Sequence, residues 1–283
     1  MVRIYSMRSH PNLKSRATII DDVISTLASF GGRLDASTLV ELALNIQNIS
    51  RDLAVILAND LSATDCRVRV EGEEVLLLNR HLEALPLRES SFVVLDLETT
   101  GAKAPPGRIT EIGAFRISGN EIIEEFHTLI NPEIPIPPFI TALTGISDQM
   151  VRNAPVFGDI ADDLLDFIGD SVLVAHNASF DLGFLDNEIQ RWYGPFALAN
   201  HSLCTVRLSR KLVSETANHK LRTLADYFGV DLVNHHRAAA DALATAKIFL
   251  RLLERMEQQG INTLSAAIEF ERRKYIRPKR AAA

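Results

Sequence analysis

Residues 91–98 read SFVVLDLE: four consecutive apolar side chains, then Asp96 and Glu98 with Leu97 between them. A short unbroken apolar run closed by acids is the pattern of a strand buried on both faces. Residues two apart on a strand share a face, so the two carboxylates point the same way. A like-charged pair at the end of a buried strand is costly unless something positive neutralises it. This stretch therefore marks the middle of a sheet and one end of it as an unusual electrostatic place.

Downstream, ITEIGAFRIS (109–118) and EIIEEFHTLI (121–130) flank a turn at Ser118-Gly119-Asn120 and read as a hairpin. NPEIPIPP (131–138) is too rich in proline for a helix or a central strand. DIADDLLDFIG (159–169) spaces Ile160, Leu164 and Ile168 as an amphipathic helix, and SVLVAH (171–176) is a second buried strand. NASFDLGFLDNEIQRWY (177–193), HKLRTLADYFGV (219–230) and HRAAADALATAKIFLRLLERM (236–256) read as helices. Strands come first and then alternate with helices, which predicts an α/β domain with a mixed sheet flanked by helices. Upstream, Ile19, Val23 and Leu27, with Ile20 and Ile24 beside them, predict a helix that stops at Gly31-Gly32. A second follows Asp35 with Leu39, Leu42, Ala43 and Ile46 on one stripe. A third, capped by Ser50, lines up Leu53, Ile56, Leu57 and Leu61. CRVRVEGEEVLLL (66–78) closes this part as a hairpin. Three short helices and a hairpin resemble a small winged-helix (α+β) domain. The expected organisation is a flexible tail over 1–16, the winged-helix-like domain over 17–85, a linker over 86–90 around Pro86, the α/β domain over 91–255, and a short helix with a basic tail over 256–283. On this division, residues 89–283 are expected to fold and act by themselves.

Apolar residues make up 47% of the 283, enough for a sizeable core and against wholesale disorder. No apolar run reaches the ~18 residues of a membrane span, and the basic N-terminus lacks the apolar core of a secretory signal. With only Cys66 and Cys204, a disulfide framework or cysteine-zinc scaffold is excluded, and a reducing cytoplasm is the expected location. Charge is uneven: residues 1–90 carry −2, 91–255 carry −7 and 256–283 carry +3. An acidic middle is unlike a plain nucleic-acid-binding surface, but suits carboxylates that hold a hard cation which then meets phosphate.

Three acidic clusters fall at strand ends or helix starts: Asp96 with Glu98, then Asp181 one turn into a helix, then Asp241 early in the last long helix with His236 five residues before it. Each alone has an ordinary explanation as a solvated rim or as an acid at a helix N-terminus. Together, oxygen ligands with one nearby histidine suit Mg²⁺ or Mn²⁺ better than zinc.

FVVLDLETTG, AHNASFDLGFL and HRAAAD, in that order, resemble the three motifs of the DEDDh 3′–5′ exonucleases, the DnaQ-like group of the proofreading epsilon subunit of bacterial DNA polymerase III. The resemblance covers residues 91–255 and implies a ribonuclease H-like fold. It implies that Asp96, Glu98, Asp181 and Asp241 hold two Mg²⁺ ions, with Mn²⁺ as a substitute, and that His236 is the general base. It places Thr99, Thr100, Leu143, Thr144, His176, Asn177 and Phe180 near the terminal nucleotide. His235, one residue off the family spacing to Asp241, reads as a bystander, and Cys204 stands where many relatives carry an acid. The implied activity is hydrolysis of terminal phosphodiesters of DNA, in proofreading or repair, releasing nucleoside 5′-monophosphates. The implied partners are a nucleic-acid 3′ end, single-stranded DNA first, and a DNA polymerase or other replication or repair protein, with no membrane. The alternatives are an RNA-trimming or oligoribonuclease-like enzyme, and a binding module with an inert exonuclease domain.

Two features outside the motifs stay open. The third N-terminal helix holds Arg51 but also Asp52 and Asp60, and Arg67 and Arg69 are the only concentrated positives of that domain, so it reads as a protein contact or a structural element before a DNA contact. RRKYIRPKR (272–280) reads as a solvated tail, with a phosphate-binding arm as the alternative.

Overall fold

Local signals start the N-terminal helices. The Asp35 carboxylate accepts hydrogen bonds from the Ser37 and Thr38 N–H groups at the head of one helix, and the Ser50 hydroxyl accepts from Leu53 N–H at the head of the next. In the computed structural model, which describes residues 10–78, 85–233 and 235–273, the order is β1 (Leu13–Ser15), α1 (Thr18–Ser29), β2 (Arg33–Asp35), α2 (Ala36–Leu44), α3 (Arg51–Thr64), β3 (Val68–Glu71) and β4 (Glu74–Leu77). The last three strands form an antiparallel sheet in the order β2-β4-β3 over a core that includes Val23, Leu27, Leu39, Val40, Ala54, Val68 and Val75.

The helix faces differ in detail from the apolar periodicity. α1 buries Ile20, Val23 and Leu27 and leaves Ile19 exposed. α3 turns Ala54 and Ala58 inward and leaves Leu53 and Ile56 outside, and Leu42 and Ile46 are exposed as well. These segments carry too many apolar residues for spacing to select one stripe, and small alanines allow the closer approach.

Residues 10–16 are not a loose tail. β1 pairs antiparallel with β9 (Phe196–Leu198), and the Asn12 side-chain amide donates to the Leu165 carbonyl at 2.8 Å. His10 is buried with Nε2 3.0 Å from Asp162. A polar segment can become an ordered edge when distant backbone pairs with it, which local sequence does not announce. Residues 1–9 of the expected tail lie outside the described residues.

The chain divides into two compact units that interleave in sequence. The first takes residues up to 81 together with 158–170 and 186–200, and the second takes 82–157, 171–185 and 201 onward. The second is built on β5 (Phe92–Thr99), β6 (Ile109–Ser118), β7 (Glu121–Leu129), β8 (Val172–Ala175) and β10 (Ser202–Cys204), in the order β10-β8-β5-β6-β7. β5 pairs antiparallel with β6 and parallel with β8, so the sheet is mixed and the acid-bearing strand is central. Its helices are α4 (Pro138–Thr144), α5 (Asp148–Val151), the first half of α7 (Ala178–Tyr193), α8 (Thr205–Leu212), α9 (Leu221–Phe228), α10 (Ala238–Gln258) and α11 (Leu264–Arg272). The Phe92 and Phe249 rings meet edge-on at 5.0 Å and seat α10 on β5. α6 (Phe157–Ile168) falls almost wholly in the first unit.

The segment expected as a linker is packed. Pro86 bridges to Thr263, Leu87 is buried and donates its N–H to the Asn262 carbonyl, and Arg88 pairs with Glu257 at 2.6 Å. Residues 79–84 lie outside the described set, as does the basic tail beyond Arg273. Among the described residues no helix is long and apolar enough to cross a membrane.

Candidate active site

β5 ends where its two acids project from one face. The ladder to β6 shifts register between Glu98 and Thr99, an irregularity that re-aims side chains at the strand end. Helix α10 can approach this end because Gly113, on β6 opposite Asp96, has no side chain: a Cβ there would lie 2.4 Å from the backbone of Ala238 and Ala239. That approach delivers Asp241, in the first turn of α10. Ligand oxygens of Asp96, Glu98 and Asp241 all lie within 4.8 Å of one another. Asp181, in the first turn of α7, accepts a hydrogen bond at 3.2 Å from the N–H of Leu97, the residue between the two β5 acids in sequence, and its charge acts on Asp96.

The electrostatics of the cluster are unfavourable for carboxylates alone. Burial, followed by the charges of Asp181, Asp241 and Glu98, pushes Asp96 well above the ordinary carboxylate range. Burial and then Asp241 and Glu111 raise Glu98 to about 8, and burial raises Asp181 to about 7 despite two backbone hydrogen bonds. Four oxygen-donor side chains that repel one another when ionised fit hard divalent cations in both donor type and charge. Asp96, Glu98, Asp181 and Asp241 are the residues that would hold them.

The histidines lie just before α10. His236 has φ 69°, a left-handed conformation rare outside glycine, and its N–H donates to Asp241 Oδ2 at 3.1 Å. His235 stacks on the His236 ring at 3.9 Å and sets its own Nδ1 2.9 Å from both Asp241 oxygens. The residue read as a bystander from its spacing is thus the one whose ring touches the acid. Spacing along a family motif does not report where a ring points, and the chain turns through left-handed backbone here. Burial and the neighbouring His235 lower the His236 pKa, keeping the ring neutral.

The other expected contact residues differ in exposure and in partners. Thr99 and Thr100 are buried, with the Thr99 hydroxyl donating to the Gly101 carbonyl and the Thr100 hydroxyl accepting from Arg108 N–H. Leu143 is exposed on α4, and the Thr144 hydroxyl is tied to Ile140 and Ile146. Asn177 sits at φ 76° ahead of α7, and the Phe180 ring packs on Phe184 at 4.9 Å. His176 differs in kind: its Nδ1 lies 2.9 Å from the Thr205 hydroxyl and its ring also bonds the His219 backbone, while burial lowers its pKa to about 4. Its ring is engaged within the protein, so it fixes the start of α8 against the end of β8.

Sequence reasoning missed Glu111. It lies directly across from Glu98 on β6 and is fully buried. Arg237 grips it through Nε and Nη2 at 3.0 and 2.7 Å, Ala238 N–H donates to Oε2 at 3.0 Å, and His127 Nε2 lies 2.8 Å from Oε1. Burial alone would raise this carboxyl, but these bonds outweigh it and hold Glu111 below the ordinary range. The signal was present as an acid and a glycine inside the apolar strand sequence TEIGAF.

Comparison with known proteins agrees with this geometry. The family model "RNase_T: Exonuclease" matches residues 93–249, more than half the chain. A PolC-type DNA polymerase III of Caldanaerobacter subterraneus subsp. tengcongensis is 44% identical over 177 residues, 62% of this chain. That of Bacillus subtilis is 41% identical over 175 residues. The chain spans 12% of the length of each. Exonuclease X, solved with 5′-overhanging duplex DNA, aligns with a TM-score of 0.50 and 25% identity over 64% of this chain and 99% of its own. Escherichia coli exonuclease I shares the fold, with a TM-score of 0.52 at 20% identity over 60% of this chain and 43% of its own. Motifs, mixed sheet and acidic cluster agree: the chain belongs to the RNase T-type exonuclease family, in its DnaQ-like 3′–5′ group.

Proposed function

We propose that this protein is a metal-dependent 3′–5′ exonuclease that removes nucleoside 5′-monophosphates from DNA 3′ ends, single-stranded ends first, in proofreading or repair. The observation that carries the reading is the convergence of Asp96, Glu98, Asp181 and Asp241 at the end of β5, the first three held above their ordinary pKa values, beside the stacked rings of His235 and His236. Two Mg²⁺ ions, replaceable by Mn²⁺, would supply a nucleophile at neutral pH and offset the charge that builds on the phosphate. The chain's own part is positioning and proton transfer. The carboxylates fix where the charge is neutralised, and His236 is the base that takes the proton of the attacking water, a role suited to a ring kept neutral. Leu143, Thr144, Asn177 and Phe180 offer an apolar and polar rim for the last nucleotide. The PolC-type relatives support a replicative setting and a polymerase as partner.

For residues 17–78, the order helix, strand, helix, helix, strand, strand supports the winged-helix reading. Its surface favours a protein over DNA. Arg51, Arg67 and Arg69 are each paired with an acid, Glu73 at 3.6 Å, Asp65 at 2.8 Å and Glu71 at 3.3 Å, while Leu53 and Ile56 stand exposed on α3. Substituting Arg67 and Arg69 by Ala should leave affinity for long DNA unchanged at every salt concentration, whereas a DNA-binding wing would show a loss that shrinks with salt.

End-labelled single-stranded DNA, duplex, mismatched duplex and RNA, compared in one assay with and without Mg²⁺, test the reading. The expected result is Mg²⁺-dependent release of mononucleotides, fastest from single-stranded DNA. Faster release from RNA would install the RNA-trimming alternative, and no release from any substrate would leave a binding module.

A further inference from the structure

Glu98 and Glu111 face each other across β5 and β6, and both lie near the candidate metal site, yet only Glu98 is available to it. The oxygens of Glu111 are taken by the Arg237 guanidinium, the Ala238 N–H and His127. The contacts other than His127 fall on the two residues that follow His236. His236 holds a left-handed backbone that a side chain other than glycine adopts at a cost, so neighbouring contacts must over-determine it. On one side His235 Nδ1 and the His236 N–H bind Asp241. On the other, Glu111 clamps Arg237 and accepts the first free N–H of α10. Gly113, two residues along β6, lets the helix come close enough for that grip.

We propose that Glu111, through Arg237 and the Ala238 N–H, is a positioning residue that sets the His236 loop for proton transfer, and that it is not a fifth metal ligand. This rests on His236 being the base. The clamp also keeps a second carboxylate from competing with Glu98 for a cation, because a carboxylate bound by a bidentate guanidinium and a backbone N–H has its lone pairs committed.

The test is a double-mutant cycle in the full chain, on a short end-labelled single strand in Mg²⁺, with Glu111→Gln, His236→Ala and the pair together. Glu111→Gln should lower kcat about 10–100-fold, as loss of an orienting partner does, with KM and the Mg²⁺ concentration for half-activity within about twofold of wild type. In the His236→Ala background the same substitution should lower kcat by no more than about twofold, because residues that act through one another do not contribute independently. Arg237→Gln should repeat both results. Arg237 is partly exposed, so this variant carries the test if melting shows that Glu111→Gln does not fold. Full multiplication of the two rate losses would overturn the proposal, as would a shifted Mg²⁺ requirement, which would make Glu111 a ligand. Wild-type turnover by His236→Ala would instead remove the base assignment on which the inference stands.

Discussion

Glu98 and Glu111 sit opposite one another on adjacent strands, yet burial and surrounding acids hold the first at about 8 while an arginine, a histidine and a backbone N–H hold the second below the ordinary carboxylate range. The contrast extends to whole clusters. Around Glu111 the protein supplies its own positive charge and donors. Around Asp96, Glu98, Asp181 and Asp241 it concentrates acids, and backbone N–H groups and a histidine offset only part of their mutual repulsion. A buried carboxylate clamped by a guanidinium is architecture, and a cluster of carboxylates that no arginine or lysine clamps in this way is the kind of place that suits cations.

The strongest way to break this contrast is to neutralise one of the clustered acids. Asp181→Asn should reduce turnover to background while raising the melting temperature of the metal-free protein slightly, because it relieves a desolvated, repelled charge. Mg²⁺-dependent turnover at the wild-type rate would remove Asp181 from the site. A smaller effect comes from the packing that brings the two clusters together. Gly113→Ala would set a Cβ 2.4 Å from the α10 backbone, and should cost about 1–3 kcal/mol of stability in a denaturant titration together with most of the activity. Unchanged stability would mean that α10 has room to move.

pH sharpens the contrast further. Asp181 and Glu98 keep protons in the folded, metal-free state up to about 7 and 8, whereas the unfolded chain releases them near pH ~4. The folded state therefore holds more protons across that window, and these groups contribute less stability as pH rises through it. The melting temperature of metal-free protein should fall from pH 5 to 8, and saturating Mg²⁺ should raise it by roughly several degrees at pH 8 and by less at pH 6. A Mg²⁺ increment that is equal at both values would show that the carboxylates are already ionised. The smallest effect belongs to the N-terminal surface. Ile56→Ser, at an exposed position of α3, should change stability by less than ~0.5 kcal/mol and leave hydrolysis of short strands intact. A loss of stability there would place Ile56 in a buried contact.

The sequence by itself determined much of the candidate site. An apolar strand ending in Asp96 and Glu98, a second buried strand leading into Asp181, and His236 ahead of Asp241 are local patterns, and strand and helix periodicity dictates which faces they share. It also carried the helix caps at Asp35 and Ser50, whose partners are two or three residues away. Tertiary structure decided whatever depends on distant partners. The polar segment at Leu13–Ser15 became a strand because Phe196–Leu198 offered backbone to pair with, and the stretch around Pro86 became packed chain because Asn262 and Thr263 met it. The contacts of His235 and Glu111 were decided in the same way. One depends on a left-handed turn at His236, the other on a strand register that sets it across from Glu98 and on a helix N-terminus 126 residues further along, where Arg237 waits. Side-chain chemistry is written locally, but whether a buried charge is compensated depends on long-range neighbours, which only the folded chain brings together.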